Sequence, residues 1–155
     1  RIMQGIFHVS KYGKMSFQDN ESKAFFTVKT KDAGHAFNGD IVRAKLFREG
    51  RRKRKFAKIE SVIERSKKEY VGKMQLSNDH AFVIPVDPRI HVDFFISNKN
   101  LKDFPDGSIV KIVLEEWRAS EKNPRANILE YIGVAGTIDV EMRTILIEKG
   151  FDLTC

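Results

Sequence analysis

Residues 37–47 read FNGDIVRAKLF and residues 104–114 read FPDGSIVKIVL, and the likeness of these two stretches decides the fold. Gly39 and Gly107 lie 68 positions apart, and the same offset carries Phe26-Thr27-Val28 onto Phe94-Phe95-Ile96. Upstream, Gly5-Ile6-Phe7 meets Gly72-Lys73-Met74 at an offset of 67; downstream, Lys58-Ile59-Glu60 meets Ile128-Leu129-Glu130 at 70. Offsets that drift slightly across ordered landmarks mark two copies of one module with short loop insertions between them.

Each copy reads as short alternating strands with turn punctuation. In the first, strands are predicted near residues 3–9, 14–18, 23–29, 40–47 and 56–65. In the second they are predicted near 70–76, 81–85, 92–97, 108–117 and 126–132. Asp19-Asn20, Asn38-Gly39, Asp87-Pro88, Pro105-Asp106-Gly107 and Asn123-Pro124 supply the turns. Five strands in about 65 residues, with a longer link between the third and fourth, suit a Greek-key barrel of the OB type, whose second and third strands form the binding face. The expected class is therefore all-β: two tandem five-stranded OB barrels over residues 1–66 and 67–134. Residues 135–155 form a connector, with Asp139 capping a short helix that ends at Gly150.

Composition agrees with a folded, soluble chain, at 41% apolar and 32% charged residues. No apolar run approaches the roughly 18 residues of a membrane helix, and no secretory signal opens the chain. The single cysteine, Cys155, excludes a disulfide framework. A cytoplasmic setting without a membrane partner is expected. The chain opens at Arg1 already close to a strand and stops just past the helix, which reads as a piece of a longer protein.

The net charge of +7 is unevenly spread. Residues 1–69 hold 18 Lys/Arg against 8 Asp/Glu, whereas residues 70–133 hold 8 against 9. The densest part is Arg51-Arg52-Lys53-Arg54-Lys55. Such a run reads as a polyanion contact, with a solvated hairpin tip as the plainer alternative.

Alternation separates core from surface. In the second copy Ala81, Val83, Phe94 and Ile96 suit the core, which turns His80, Phe82 and Phe95 outward onto one surface; a register slipped by one residue, with these rings in the core, is the alternative. Outward phenylalanines invite a stacking partner. Trp117 reads equally as a core lid or as a further stacking platform. The first copy has Lys14, Ser16 and Thr27 at the matching positions, and Tyr12 and Phe25 compensate only in part. His8, His35, His80 and His91 lack metal-ligand spacing, and no carboxylate cluster or phosphate loop stands out.

These features together resemble the paired cold-shock domains of ribonuclease R-type enzymes, in the RNase II family of exoribonucleases. The stretches YVGKMQLSNDHAFVIP, VDFFISNKNL, EEWRASEKNP and ILEYIG carry the resemblance in the second copy, and FNGDIV and IESVIERS carry it in the first. GTIDVEMRTILIEKGF resembles the connector that leads into the family's catalytic domain. The resemblance implies that the chain binds and guides single-stranded RNA for a Mg²⁺-dependent 3′-to-5′ exoribonuclease. The metal site and catalytic residues are expected in that separate catalytic domain, with no cofactor and no catalysis in this piece. His80, Phe82, Phe95 and Trp117 are the expected stacking residues. Lys14, Lys73, Arg51, Arg52, Lys53, Arg54 and Lys55 are the expected phosphate contacts. A free-standing RNA chaperone and an OB-type protein-interaction module are the alternatives.

Overall fold

A computed structural model describes residues 2–97, 103–134, 145 and 147. The chain divides into two compact units, each holding the strands of one repeat, with Pro88–Ile90 from the second repeat grouped with the first unit. In the first unit β1 (Ile2–Val9), β2 (Met15–Asp19), β3 (Phe25–Val28), β4 (Ile41–Glu49) and β5 (Arg54–Glu64) close a barrel in the order β1-β2-β3-β5-β4. In the second, β6 (Glu69–Leu76), β7 (His80–Pro85), β8 (Phe94–Ser97), β9 (Ser108–Glu116) and β10 (Arg125–Val134) close a barrel of the same topology. All pairings are antiparallel except the seams β3–β5 and β8–β10, which are parallel and join at Thr27–Phe56 and Phe95–Arg125. This is the five-stranded OB arrangement expected from the strand pattern.

The expected strands are present, with instructive shifts at their ends. β3 starts at Phe25, because Lys23 adopts φ 64 and its N–H closes a turn onto the Asp19 carbonyl at 2.9 Å. The Asp19 carboxylate secures that turn by accepting from the Ser22 N–H (3.0 Å) and hydroxyl (2.7 Å). β4 and β5 run further than expected, so Arg54 and Lys55 pair with Glu49 and Arg48 inside the ladder. A short 3₁₀ turn at Thr30–Asp32 also escaped the strand pattern. Ile145 and Ile147 are helical, while the rest of the expected connector helix lies outside the described residues.

The alternation fills each barrel as the pattern demands. Phe7, Phe17, Val42, Ala44 and Ala57 are fully buried in the first, and Val83, Phe94, Ile96, Val110 and Ile112 in the second. Complete burial of one such large side chain stabilises by roughly 1.5–3 kcal/mol. The shared glycines have a steric cause. Gly5 is paired on both sides, to Asp19 and Val42, as Gly72 is to Pro85 and Val110. A β-carbon at Gly5 would collide with the Gln18 carbonyl, and one at Gly72 with the Ile84 carbonyl. The first strand of each copy can bend around its barrel only where no side chain intervenes.

Asp40, just after the left-handed Gly39, is a fully buried carboxylate. It accepts from the Phe37 N–H (2.8 Å), the Ser66 N–H (3.0 Å) and the Arg65 guanidinium (2.7 Å). Arg65 also donates to the His35 carbonyl at 2.6 Å and lies over the Phe37 ring at 5.1 Å. The end of β5 is thereby locked to the β3–β4 connection. The second copy has Ser108 at the matching place, with its hydroxyl donating to the Pro105 carbonyl.

Candidate nucleic-acid interface

On the outer face of the second barrel, Gln75 stands opposite Phe82, and Phe82 opposite Phe95. Phe82 and Phe95 are half-buried while their neighbours Ala81, Val83, Phe94 and Ile96 are sealed in the core. His80 completes the group. Its ring lies 5.5 Å from Phe95 in a stacked arrangement and 5.3 Å from Phe82 edge-on, and the two phenyl rings are 5.8 Å apart. Each such pair adds roughly 0.5–1.5 kcal/mol beyond area burial, so the three rings hold one another in place. The His80 Nδ1 donates to the Asp79 carboxylate at 2.7 Å, and that hydrogen bond holds the Asp79 carboxyl below its ordinary pKa.

The loop from Trp117 to Pro124, between β9 and β10, braces this platform. Phe95 N–H donates to the Pro124 carbonyl at 2.8 Å, and the Asn123 amide donates to the Asp93 carbonyl at 3.0 Å. The latter bond takes up Asp93 before the β8 ladder begins. Trp117 falls just beyond β9 instead of inside it; it is half-buried, and its indole N–H donates to the Glu121 carbonyl at 2.9 Å. Its ring lies 6.4 Å from that of His91.

Glu121 ties the loop to the aromatic group. Its carboxylate accepts from the Arg125 Nε and Nη2 at 3.0–3.3 Å, and the Arg125 guanidinium lies over the Phe95 ring at 5.7 Å. The bidentate bond from Arg125 pulls the Glu121 carboxyl below the ordinary glutamate range. Arg125 and Glu121 were absent from the sequence expectation. Their one visible trace was the basic character of the strand's first residue.

Lys73 is exposed on β6, two residues from Gln75, and therefore shares the outer face with Phe82. The remaining basic residues lie on the first barrel. Lys14 is exposed at the end of the β1–β2 loop, and its N–H is held by the Ser10 hydroxyl at 3.1 Å. Arg51, Arg52 and Lys53 form the tip of the β4–β5 hairpin, with Arg54 and Lys55 on the strand below, all exposed. Arg54 lies over the Phe56 ring at 5.3 Å, and Lys29 over the same ring at 4.5 Å while paired with Glu49. Both OB loops that flank the binding face in this fold thus carry cations in the first barrel.

Register confirms which residues replace the aromatics in the first copy. Ser16 pairs with Thr27 as Phe82 pairs with Phe95. A different pair of rings is nonetheless present there: His8 and Phe25 lie 5.6 Å apart, and Phe25 is 61% exposed. Sequence reasoning placed Phe25 as a partial substitute and overlooked His8. Among the described residues, no group of three His, Cys, Asp or Glu side chains is placed to hold a metal ion.

Comparison with known proteins accords with this geometry. A cold shock domain family model matches residues 82–154. Ribonuclease R of Aquifex aeolicus is 26% identical over 97 residues, covering 63% of this chain and 14% of the relative. Ribonuclease R of Thermotoga maritima is 21% identical over 144 residues, covering 93% of this chain and 20% of the relative. The chain thus spans at most a fifth of the length of these relatives. In fold it is similar to Mycoplasma genitalium RNase R, solved in complex with ribose methylated single-stranded RNA. That match has a TM-score of 0.85 at 11% identity, over 99% of this chain and 25% of that one. Yeast Ssd1, a pseudonuclease, gives a TM-score of 0.81 at 16% identity, over 97% of this chain and 25% of that one. In its two tandem OB barrels, in the cold-shock match from residue 82 onward and in sequence, this chain is similar to the cold-shock-domain region of ribonuclease R.

Proposed function

We propose that the two barrels bind single-stranded RNA and guide it toward the catalytic domain of a 3′-to-5′ exoribonuclease of the ribonuclease R type. The observation that carries this reading is the His80–Phe82–Phe95 group with Arg125 beside it. Every base has a π-face, so a platform of this kind takes any sequence and gains roughly 1–3 kcal/mol per stacked base. Bases in a duplex are already stacked on one another, which favours a single strand on this face.

The basic hairpin supplies the complementary term. Cations at Arg51–Lys55 release counterions from the phosphate backbone and raise the rate of encounter without selecting a sequence. Stacking on the second barrel then retains the strand. Both terms tolerate sequence, as a processive enzyme requires. Hydrolysis, with its Mg²⁺ ions, is assigned on this reading to a separate catalytic domain, and the cytoplasm is the proposed setting.

Fluorescence anisotropy with a labelled single strand, competed by an unlabelled duplex of equal length, tests the reading. The single strand is expected to bind and to resist competition. Absence of single-strand binding removes the proposal. Incubation of the chain with RNA and Mg²⁺ is expected to leave the RNA intact, and 3′ trimming overturns the assignment of hydrolysis elsewhere.

A further inference from the structure

We propose that the first barrel carries a nucleotide cleft of its own, between the His8–Phe25 ring pair and the hollow above Ser16 and Thr27. The proposal rests on the RNA-binding reading and deepens it, because it gives the first barrel a base-binding role in addition to its charge.

Four observations converge on the cleft. Ser16 and Thr27 occupy the register positions filled by Phe82 and Phe95 in the second barrel, so small side chains leave space where rings would stand. An open groove of about 660 Å³ lies there, with His8, Lys14, Ser16, Phe25 and Thr27 among the residues that line it. That volume falls within the range of roughly 300–1,000 Å³ typical of small-molecule sites. His8 is held in place, with Nε2 3.1 Å from the Gln18 Oε1, and its ring lies 5.6 Å from Phe25. Phe25 is 61% exposed on the barrel's outer face, where it gains little from folding.

The chemistry of the lining selects the occupant. A flat base slots into the hollow against the Phe25 ring. Its edge then meets the Ser16 and Thr27 hydroxyls, each able to donate or accept and therefore indifferent to base identity. Lys14, at the lip, meets the adjoining phosphate as a point charge. The second barrel presents a surface already filled by its own rings, on which a base lies flat. The first presents a hollow into which a base enters edge-on. The two copies therefore grip the same strand in different ways.

The cleft is tested by anisotropy with a single-stranded oligonucleotide on three variants of the intact chain: Phe25→Ala, Ser16→Leu and, as a reference, Phe95→Ala. All three side chains lie on outer faces, and thermal melts verify that each variant folds. Phe25→Ala is expected to weaken binding about tenfold, within the range of one stacked base. Ser16→Leu, which fills the hollow and leaves both rings in place, is expected to weaken it comparably. If Ser16→Leu binds as well as or better than the wild type, no base enters the hollow and the cleft is overturned. Wild-type affinity in Phe25→Ala overturns it as well. In either case, weakened binding by Phe95→Ala leaves the RNA-binding reading standing. Absence of RNA binding by the wild-type chain removes that reading and the cleft together.

Discussion

Phe82 and Phe95 face each other directly across the β7–β8 ladder, with ring centroids 5.8 Å apart and planes inclined at 69°. Cross-strand opposition of this kind preorders two rings before any partner arrives, because the backbone ladder has already fixed their spacing. Replacing Phe95 by alanine is expected to weaken single-strand binding by about 1–3 kcal/mol. The slope of log affinity against log salt should remain near its wild-type value, since no cation is lost. Anisotropy titrations across a salt series measure both quantities, and a large change of slope would contradict the stacking role.

The opposite signature is expected for the basic hairpin. Arg51, Arg52, Lys53, Arg54 and Lys55 are all exposed, so their replacement by glutamine should leave the melting temperature nearly unchanged. For single strands each phosphate contact contributes about 0.7 to the salt slope, so the full replacement should flatten the slope by up to about 3.5. A variant that binds with an unaltered slope places the phosphates elsewhere.

Glu121 reports on the brace behind the platform. Its carboxyl is held below the ordinary glutamate range first by the hydrogen bonds from Arg125 and then by the guanidinium's charge. Because the folded value is depressed, the stability from this pair is present above the unfolded glutamate value and lost as pH falls through the folded one. Carboxyl-carbon NMR should therefore show Glu121 titrating at lower pH than a free glutamate. In Arg125→Ala the midpoint should move back up. An unshifted wild-type midpoint would mean that the fork over Phe95 is not maintained in solution.

The buried carboxylate of Asp40 is expected to dominate the stability of the first barrel. Asp40→Ala removes the carboxylate acceptor from the Arg65 guanidinium and from the Phe37 and Ser66 N–H groups at once. Removing one partner of a buried pair costs about 3–5 kcal/mol. Urea denaturation should show such a loss, and Asp40→Asn, which keeps an acceptor oxygen, should lose less. Equal losses for the two variants would argue that the carboxylate's charge matters more than its hydrogen bonds.

Much of this molecule was legible before its fold was known. Strands appear in sequence because sealed and exposed side chains alternate along them, and each repeat supplied a check on the other. The pairing of Ser16 with Thr27 and of Phe82 with Phe95 follows from the offset between repeats together with strand parity. Strand ends were less legible. β3 starts late because Lys23 takes a left-handed turn conformation that favours glycine in general, and nothing in the residue type announces it.

By itself, the sequence determined the two-barrel plan, the core parity, the outward position of His80, Phe82 and Phe95, and the concentration of cations in the first copy. These properties are local or periodic, so they are written along the chain. Only the tertiary structure decided that Arg125 lies over Phe95, that Glu121 holds it there, and that His8 stands beside Phe25. Arg125 meets Phe95 at the parallel β8–β10 seam, where one residue pair forms the register and leaves no periodicity to read. His8 reaches Phe25 diagonally from β1 to β3 across the width of β2, a contact set by side-chain lean and barrel curvature. Closure of the barrel, more than the order of its residues, placed the cation beside the Phe95 ring.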